Sequence, residues 1–186
     1  MICLVGKTAS GKDTVKQELL KQGYESVITT TTRPMRAGEE NGVTYHYVSE
    51  EDFLKMKDEN LFAEYTYYLT VHGKWYYGSQ IKHLNDSDNK IIILNPDGIK
   101  TLSESIDLSK WFIVYLSCSD EVIKQRLDKR GDDKEEAARR IEADKRDFTD
   151  IEKYANIVIK NDGYTTVKMI AESIDYFYKE FLKENK

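Results

Sequence analysis

Short apolar runs alternate with amphipathic segments along most of this chain. The runs are rich in Ile, Val and Leu, which is typical of strands buried on both faces of a parallel sheet. The amphipathic segments predict helices, and the last of them carries its apolar residues at helical spacing along one face. Strand and helix in alternation predict an α/β doubly wound fold. The predicted strands are 1–5, 90–94, 111–116 and 156–159, and the predicted helices are 12–22, 97–105, 120–129, 135–147 and 165–182.

Residues 26–77 interrupt this alternation. They are rich in Thr and Tyr, and the alternating run at 43–48 predicts short antiparallel strands, followed by one small helix at 49–57. A polar turn is predicted at 85–89. We interpret residues 1–186 as a single domain with an inserted lobe and a lid. These parts are a core of 1–25, 90–125 and 148–186, a mixed-β lobe of 26–80 and a helical lid of about 126–147.

Composition and charge argue against several kinds of protein. A length of 186 residues fits one domain, and a formal net charge of −5 disfavours a general nucleic-acid binder, which is usually basic. No apolar stretch is long enough for a membrane span and no signal peptide precedes the first strand, so we expect a cytoplasmic protein. Cys3 and Cys118 lie in or beside apolar runs and are expected to be buried, reduced thiols. The scattered His and Cys residues have no metal-ligand spacing.

The first predicted strand leads directly into a G-x-x-x-x-G-K sequence, from Gly6 to Lys12. Between a strand and a helix, this spacing is typical of a phosphate-binding loop. Gly6 and Gly11 allow a tight turn that brings backbone N–H groups near phosphate oxygens, and the following helix directs its positive dipole end at them. Lys12 adds a full positive charge. The chain is therefore expected to bind a nucleoside triphosphate through Gly6, Thr8, Ala9, Ser10, Gly11, Lys12, Asp13 and Thr14.

The position after Lys12 departs from the usual loop sequence. Asp13 stands where a Ser or Thr hydroxyl normally binds Mg²⁺. Asp13 could bind the metal itself, or Thr14 could do so from the next position. The sequence leaves these two alternatives open.

Arginine is confined to two windows of a chain that otherwise uses lysine. A guanidinium group grips phosphate oxygens with two hydrogen bonds, which a Lys ammonium cannot do. We expect the first window to hold an acceptor phosphate in the lobe, and the second to cover the donor triphosphate as a lid that excludes water. In the second window, Arg139 and Arg146 could instead pair with neighbouring glutamates. The first window holds Arg33 and Arg36, and the second holds Arg126, Arg130, Arg139, Arg140 and Arg146.

Residues 30–48, TTTRPMRAGEENGVTYHYV, resemble the T-T-R-x-x-R-x-G-E-x-x-G-x-x-Y-x-F-V signature of guanylate kinases. The resemblance implies a P-loop fold and the ATP-dependent phosphorylation of GMP or dGMP, with Mg²⁺. No covalent nucleophile is then required, because phosphoryl transfer depends on positioning and charge neutralisation. The similarity continues in order at 62–65, 76–79, 93–98, 126–140 and 157–162, and so covers nearly the whole chain.

The resemblance also implies a role for each matching residue. Two arginines and two tyrosine hydroxyls would bind the acceptor phosphate, and a carboxylate would accept from the N1–H and 2-amino groups of guanine. The loop lysine and three lid arginines would contact the transition state. The implied acceptor residues are Arg33, Arg36, Tyr45 and Tyr77 for phosphate, Thr29, Glu64 and Ser79 for guanine, and Asp97 near acceptor and metal; the implied catalytic residues are Lys12, Arg126, Arg130 and Arg140.

Three departures from the family pattern leave other acceptors open. Asn95 stands where the family has Asp, Asp13 where it has Ser or Thr, and residues 67–74 form a longer connection than usual. The alternatives are a kinase for another deoxynucleoside monophosphate or a phosphorylated sugar, and a non-catalytic guanylate-kinase-like module that binds phosphopeptides. Glu64 favours a nucleotide over a sugar, and the intact phosphate loop favours an enzyme over a module. We expect nucleotides as partners, without nucleic acid or membrane, and a monomer or homodimer.

Overall fold

The computed structural model describes residues 1–84 and 88–185. Their contacts form two compact units, which are described separately. The core unit comprises Met1–Ser26, Asp88–Pro96 and Leu108–Lys186, and the lobe unit comprises Val27–Ser87 and Asp97–Asp107. The predicted lid segment therefore belongs to the core unit, while Asp97–Asp107, which the sequence places with the core, groups with the lobe unit. Most of the predicted polar turn at 85–89 lies outside the described residues.

The order of elements agrees with an α/β fold. The predicted core strands and the predicted helices match the observed bounds to within two residues. The strands are β1 Ile2–Val5, β2 Glu25–Ser26, β3 Thr30–Thr31, β4 His46–Tyr47, β5 Phe62–Thr70, β6 Gly73–Gln80, β7 Lys90–Ile93, β8 Phe112–Ser117 and β9 Ile157–Lys160. The α-helices are α1 Lys12–Leu20, α2 Glu50–Asp58, α3 Ile81–Leu84, α4 Pro96–Ser105, α5 Asp120–Arg130, α6 Lys134–Asp147 and α7 Val167–Glu184.

The core sheet is parallel and has the strand order β2-β7-β1-β8-β9. Central strand β1 is entirely apolar and fully buried, with Ile2 opposite Ile91 on one side and Phe112 on the other. The prediction of burial on both faces is wrong for β9, where Val158 and Lys160 are exposed. As an edge strand, β9 keeps one face toward solvent.

Helix α7 packs its apolar face against this sheet. Its N-cap Thr166 accepts a hydrogen bond from a backbone N–H of the first turn. Ile174 and Tyr178 are buried with the residues of β1 and β8, and the Tyr178 hydroxyl accepts a hydrogen bond from the Met1 ammonium at 2.9 Å. Phe177, which the helical spacing places on the same face, is 47% exposed. Among the described residues, no helix has both the length and the apolar character needed to cross a membrane.

The lobe sheet has the order β4-β3-β6-β5. Strands β5 and β6 form a long antiparallel hairpin, which ends at the Thr70–Gly73 pair, and β6 also pairs antiparallel with β3. The prediction of antiparallel strands is wrong for β3 and β4, which are parallel. The physical reason is the long connection between them, because a parallel pair needs a crossover that a tight hairpin cannot supply.

Helix α2 closes one face of the lobe sheet. Ser49 caps it by accepting the backbone N–H of Asp52. Phe53 of α2 is fully buried and stacks on Phe62, with 4.4 Å between ring centroids, and on Tyr76 at 5.2 Å. The opposite face of the hairpin therefore carries Glu64 and Ser79, the residues predicted to contact guanine.

Candidate functional site

The phosphate-loop sequence forms a tight turn between β1 and α1. A Cβ atom at Gly6 would lie 2.6 Å from the carbonyl oxygen of Leu116, and one at Gly11 would lie 2.5 Å from the Nδ2 atom of Asn161. Gly11 also has a φ of +96°, and Ala9 has a φ of 51°. Both motif glycines are therefore required by close contacts, and at Gly11 also by the left-handed backbone.

The interior of the loop holds one cation and one unsatisfied hydroxyl. The Nζ atom of Lys12 donates to the carbonyl oxygens of Gly6, at 2.6 Å, and Lys7, at 2.9 Å. Burial lowers the pKa of Lys12, while nearby carboxylates act to raise it. The Ser10 hydroxyl is buried and has no hydrogen-bond partner among the described residues. These groups suit a phosphate ligand, whose oxygens would satisfy both.

A carboxylate that the sequence did not reveal also lies at this loop. The Oδ2 atom of Asp144, on α6, accepts the backbone N–H of Thr8 at 2.6 Å. Burial raises the pKa of Asp144, although the bond from Thr8 and the charge of Lys12 act to lower it. Asp144 lies four positions after Arg140 and so shares its helix face, which is the one sequence signal that could have found it.

Arg126 of α5 binds backbone oxygens of the core unit. Its guanidinium donates to the carbonyl of Ala9 at 3.1 Å and to the carbonyl of Asn161 at 2.8 Å. The side-chain amide of Asn161 in turn donates to the carbonyl of Ser10 at 2.8 Å. Arg126 and Asn161 therefore hold the second half of the phosphate loop in place.

The other two predicted catalytic arginines pair with carboxylates of their own segment. Arg130 forms an ion pair with Asp132. Arg140 donates to Glu136 at 2.8 Å and lies 3.6 Å from Asp132. Glu136 is only 4% exposed and also binds Arg139 through two hydrogen bonds of 2.9 Å, the pairing that the sequence offered as an alternative for that arginine. Arg130 and Arg140 are thus neutralised within the segment that the sequence predicts as a lid.

The predicted metal ligands lie on the first turn of α1. Asp13 and Thr14 are both exposed. Across residues 1–84 and 88–185, no three His, Cys, Asp or Glu side chains form a cluster able to hold a metal ion by themselves. Whether Asp13 or Thr14 binds Mg²⁺ stays a prediction.

In the lobe unit, Glu64 and Ser79 lie opposite each other on β5 and β6. Glu64 is 6% exposed and Ser79 is fully buried, and the Ser79 hydroxyl donates to the Glu64 carboxylate. Burial raises the pKa of Glu64, while the hydrogen bonds from Ser79 lower it. Thr29 is half-buried, and its carbonyl oxygen accepts the backbone N–H of His46 at 2.8 Å. The lobe therefore contains a buried acceptor group suited to donors on a base.

Arg33 is held by a network that the sequence only partly reveals. Its guanidinium donates to Glu39 at 2.7 Å and lies over the rings of Tyr45 and Tyr47, 5.6 and 5.8 Å from their centroids. Glu39 also accepts the Tyr47 hydroxyl and the backbone N–H of Arg36, both at 2.7 Å. Burial would raise the pKa of Glu39, but these hydrogen bonds outweigh it and lower the pKa to about 2. Glu39 stands in the signature sequence, yet its role as partner of Arg33 was missed.

The two predicted phosphate-binding tyrosines lie side by side. The rings of Tyr45 and Tyr77 are 6.2 Å apart at an angle of 70°. Arg36 is exposed on the loop that follows Arg33. Asp97, at the start of α4, is also exposed and lies 3.8 Å from the Lys100 ammonium. Within the lobe unit the structure thus brings Arg33, Tyr45 and Tyr77 together.

The sequence relationships now decide the family. Residues 1–176 match the family model described as Guanylate kinase. The chain belongs to the guanylate kinase family. The guanylate kinase of Sulfurimonas denitrificans is 31% identical to it over 184 residues, which cover 93% of this chain and 87% of that protein. The guanylate kinase of Helicobacter hepaticus is 29% identical over 187 residues, covering 95% and 91% of the two chains.

The fold agrees with this family. The crystal structure of guanylate kinase from Anaplasma phagocytophilum matches this guanylate kinase with a TM-score of 0.71, over 97% of this chain and 84% of that chain. Because the two sequences are 20% identical, this likeness shows the fold alone. Family and fold together make the chain an enzyme and support the ATP-dependent phosphorylation of GMP. Neither supports a non-catalytic module or a kinase for another acceptor.

Proposed function

We propose that this guanylate kinase binds ATP at the phosphate loop of its core unit and GMP or dGMP in its lobe unit, and transfers the γ-phosphoryl group between them. The observation that carries the choice of guanine is the burial of the Glu64 carboxylate beside Ser79. A buried carboxylate accepts the two donors that guanine presents at N1 and N2, and adenine lacks that pair of donors. Ser79 and Thr29 contact the same edge of the base.

On the donor side, the loop supplies the contacts for the triphosphate. The backbone N–H groups of the loop and of the first turn of α1 are the donors to the phosphate oxygens, that of Thr8 once it leaves Asp144, and Lys12 neutralises the charge of the phosphates. The oxygen donors of Asp13 or Thr14 suit Mg²⁺, which prefers carboxylate, hydroxyl and phosphate oxygens. Bound there, the metal would supply charge neutralisation to the triphosphate.

On the acceptor side, Arg33 is the central group for the monophosphate. Its burial and its contact with Glu39 fix the guanidinium before a ligand binds, which lowers the entropy lost on binding. Arg36 and the hydroxyls of Tyr45 and Tyr77 complete the phosphate contacts, and Asp97 is the aspartate that the family resemblance assigns to acceptor and metal. The lobe therefore binds the base of the nucleotide near Glu64 and its phosphate near Arg33.

Catalysis consists of positioning and charge neutralisation. Lys12, Arg126, Arg130 and Arg140 balance the negative charge that is spread over the transferring group in the transition state. Arg130 and Arg140 exchange their carboxylate partners for phosphate oxygens as the lid closes over the donor. Closure also excludes water, which would otherwise hydrolyse ATP.

We further propose that the enzyme works in the cytoplasm as a monomer or homodimer, with nucleotides rather than nucleic acids as its partners. Cys3 and Cys118 support a reducing compartment, because both are buried and neither forms a disulfide. The net charge of −5 opposes attraction to nucleic-acid phosphates.

A coupled assay of ADP release, run with a panel of nucleoside monophosphates, tests the substrate. We expect turnover with GMP and dGMP and little with AMP, CMP, UMP or dTMP. The matched variant is Glu64→Gln, which keeps the shape of the side chain but replaces one acceptor oxygen of the carboxylate with an NH2 donor. That donor would face a hydrogen-bond donor of guanine. The substitution should lower kcat/KM for GMP by roughly a hundredfold, because a donor of guanine is left without its charged partner. Preference for another monophosphate in the unchanged enzyme would overturn the guanine assignment.

A further inference from the structure

Tyr68 lies on the same face of the lobe hairpin as the guanine-binding carboxylate. Side chains of a strand alternate between its two faces, so Glu64, Thr66 and Tyr68 of β5 share one face. Their partners across the hairpin are Ser79, Tyr77 and Trp75 in that order. Tyr68 is half-buried, although it stands close to the tip of the hairpin. It belongs to the unusually long connection at 67–74, to which the family resemblance assigns no role.

The ring of Tyr68 touches the ring of Tyr77 edge-on. Their centroids are 5.7 Å apart and the rings meet at 71°. Tyr77 has a second edge contact, with Tyr45, at 6.2 Å and 70°. Tyr77 is therefore held between two aromatic neighbours, one from β5 and one from the loop that precedes β4.

The same row of rings ends at the phosphate-binding guanidinium. Tyr45 lies under Arg33 and makes an edge contact with Tyr47 at 5.7 Å. Tyr45 therefore links the two groups, because its ring lies 6.2 Å from the ring of Tyr77 and 5.6 Å from the guanidinium carbon of Arg33. Movement of the Tyr77 ring would therefore change the contacts that the site offers to the acceptor phosphate.

We propose that Tyr68 is a positioning residue for the acceptor phosphate: its ring closes the open side of Tyr77 and holds the Tyr77 hydroxyl toward Arg33. The inference rests on the proposed function, because it assigns Tyr68 to the phosphate end of the GMP site. Tyr68 acts through Tyr77 and needs its ring rather than its hydroxyl for this task. The ligand concerned is the phosphate of a nucleoside monophosphate, and the base end of the site at Glu64 is outside its reach.

The neighbouring residue provides a matched control. Tyr67 is on the same strand and has the same side chain, but it faces the other side of the hairpin and is 52% exposed. Its ring lies under the Lys74 ammonium, 4.2 Å from the ring centroid, and beside Tyr76. Loss of Tyr67 therefore removes the same kind of side chain from the same strand, but on the face opposite to Tyr77.

The test compares the binding of GMP with that of guanosine, which has the same base and lacks the phosphate. Calorimetric titration of Tyr68→Ala should give a Kd for GMP that is about threefold to tenfold weaker, the range expected from one lost edge-to-face contact, with the Kd for guanosine unchanged. The KM for GMP should rise in parallel, and the KM for ATP should not change. Tyr68→Phe should behave like the unchanged enzyme, and so should Tyr67→Ala.

Equal weakening of GMP and guanosine in Tyr68→Ala, or an equal effect of Tyr67→Ala, would overturn the inference in favour of a general role in hairpin stability. If Tyr68→Ala does not fold, Tyr68→Leu keeps the apolar volume without the flat ring and should show the same loss for GMP alone. Failure of the proposed function is distinguishable, because the unchanged enzyme would then not phosphorylate GMP at all. If the unchanged enzyme phosphorylates GMP, but Tyr68→Ala and Tyr68→Leu bind GMP as tightly as it does, only the role of Tyr68 is refuted.

Discussion

The carboxylate of Asp144 accepts the backbone N–H of Thr8, with 2.6 Å between oxygen and nitrogen. This N–H belongs to the loop that is proposed to bind the donor triphosphate, so a side chain of α6 carries negative charge into a site for negative charge. The contact links the loop to the predicted lid, and phosphate oxygens compete with it.

Asp144→Asn is expected to strengthen the binding of ATP. The amide keeps the shape and still accepts from Thr8, but it no longer repels phosphate, so the KM for ATP should fall by roughly fivefold. In the unchanged enzyme the KM for ATP should also fall as the pH drops toward the raised pKa of Asp144, and this dependence should be absent from the variant. Steady-state kinetics over a pH series measures both effects.

The control for that experiment is Glu142→Gln. Glu142 is exposed on the same helix and pairs with Lys145 at 3.2 Å. The Glu142→Gln substitution removes one negative charge from α6, as Asp144→Asn does, but at a side chain that pairs with Lys145 instead of the Thr8 N–H. A lower KM for ATP in this variant as well would mean that net charge, rather than the Thr8 contact, is responsible.

Glu39→Gln should lose stability in a pH-dependent way. The pKa of Glu39 is lowered from 4.5 to about 2, so its ionised form stabilises the folded state above about pH 4.5, and this contribution disappears as the pH falls toward 2. Because Glu39 is partly exposed and solvent screens its charge, we expect the variant to be less stable by about 1 kcal/mol at neutral pH, with the gap closing below pH 4.5. Urea unfolding at several pH values measures the gap. A stability difference that does not change with pH would contradict the expectation. Glu40→Gln, at an exposed neighbouring carboxylate, serves as the control.

Lys12→Met should abolish most activity and leave the fold intact. Removal of the charge from the phosphate loop is expected to lower kcat by at least about a hundredfold. The thermal midpoint should stay the same or rise, because burial already disfavours the ammonium form of Lys12. Lys21→Met, at an exposed lysine one residue beyond α1, is the control and should retain full activity. Near-normal turnover in Lys12→Met would refute the donor-site assignment.

Gly11→Ala and Gly23→Ala separate backbone strain from steric contact. The two glycines have φ angles of +96° and +97°, but only the Cβ at position 11 meets another group, the Asn161 amide at 2.5 Å. Both variants should lose about 1 kcal/mol from the left-handed backbone. Gly11→Ala should lose about 1–3 kcal/mol more, because Asn161 must give up its bond to Ser10. Urea denaturation compares the two, and equal losses would show that the contact relaxes without cost.

Much of the donor site was predictable because its signals are local. The spacing of Gly6, Gly11 and Lys12 between an apolar strand and a helix locates the loop, since tight turns and helix starts depend on residues a few positions apart. The predicted helix at 120–129 follows the same local rule, because Ser119 directly before it caps α5 by accepting the backbone N–H of Val122. The acceptor signature at 30–48 is likewise one continuous stretch of chain.

What the tertiary structure decided are the partners of these residues. Asp144 is 136 positions from Thr8 along the chain. The ring of Tyr68 contacts Tyr77 on the neighbouring strand of the hairpin. The contacts of Glu39 with Arg33 and Tyr47 depend on how the loop between β3 and β4 folds. The sequence by itself determined where strands, helices and the phosphate loop lie, because hydrophobic periodicity, caps and glycines act over short distances. Which charges neutralise one another and which rings pack together was decided only by the folded chain, because those contacts join segments whose separation in space no local pattern encodes.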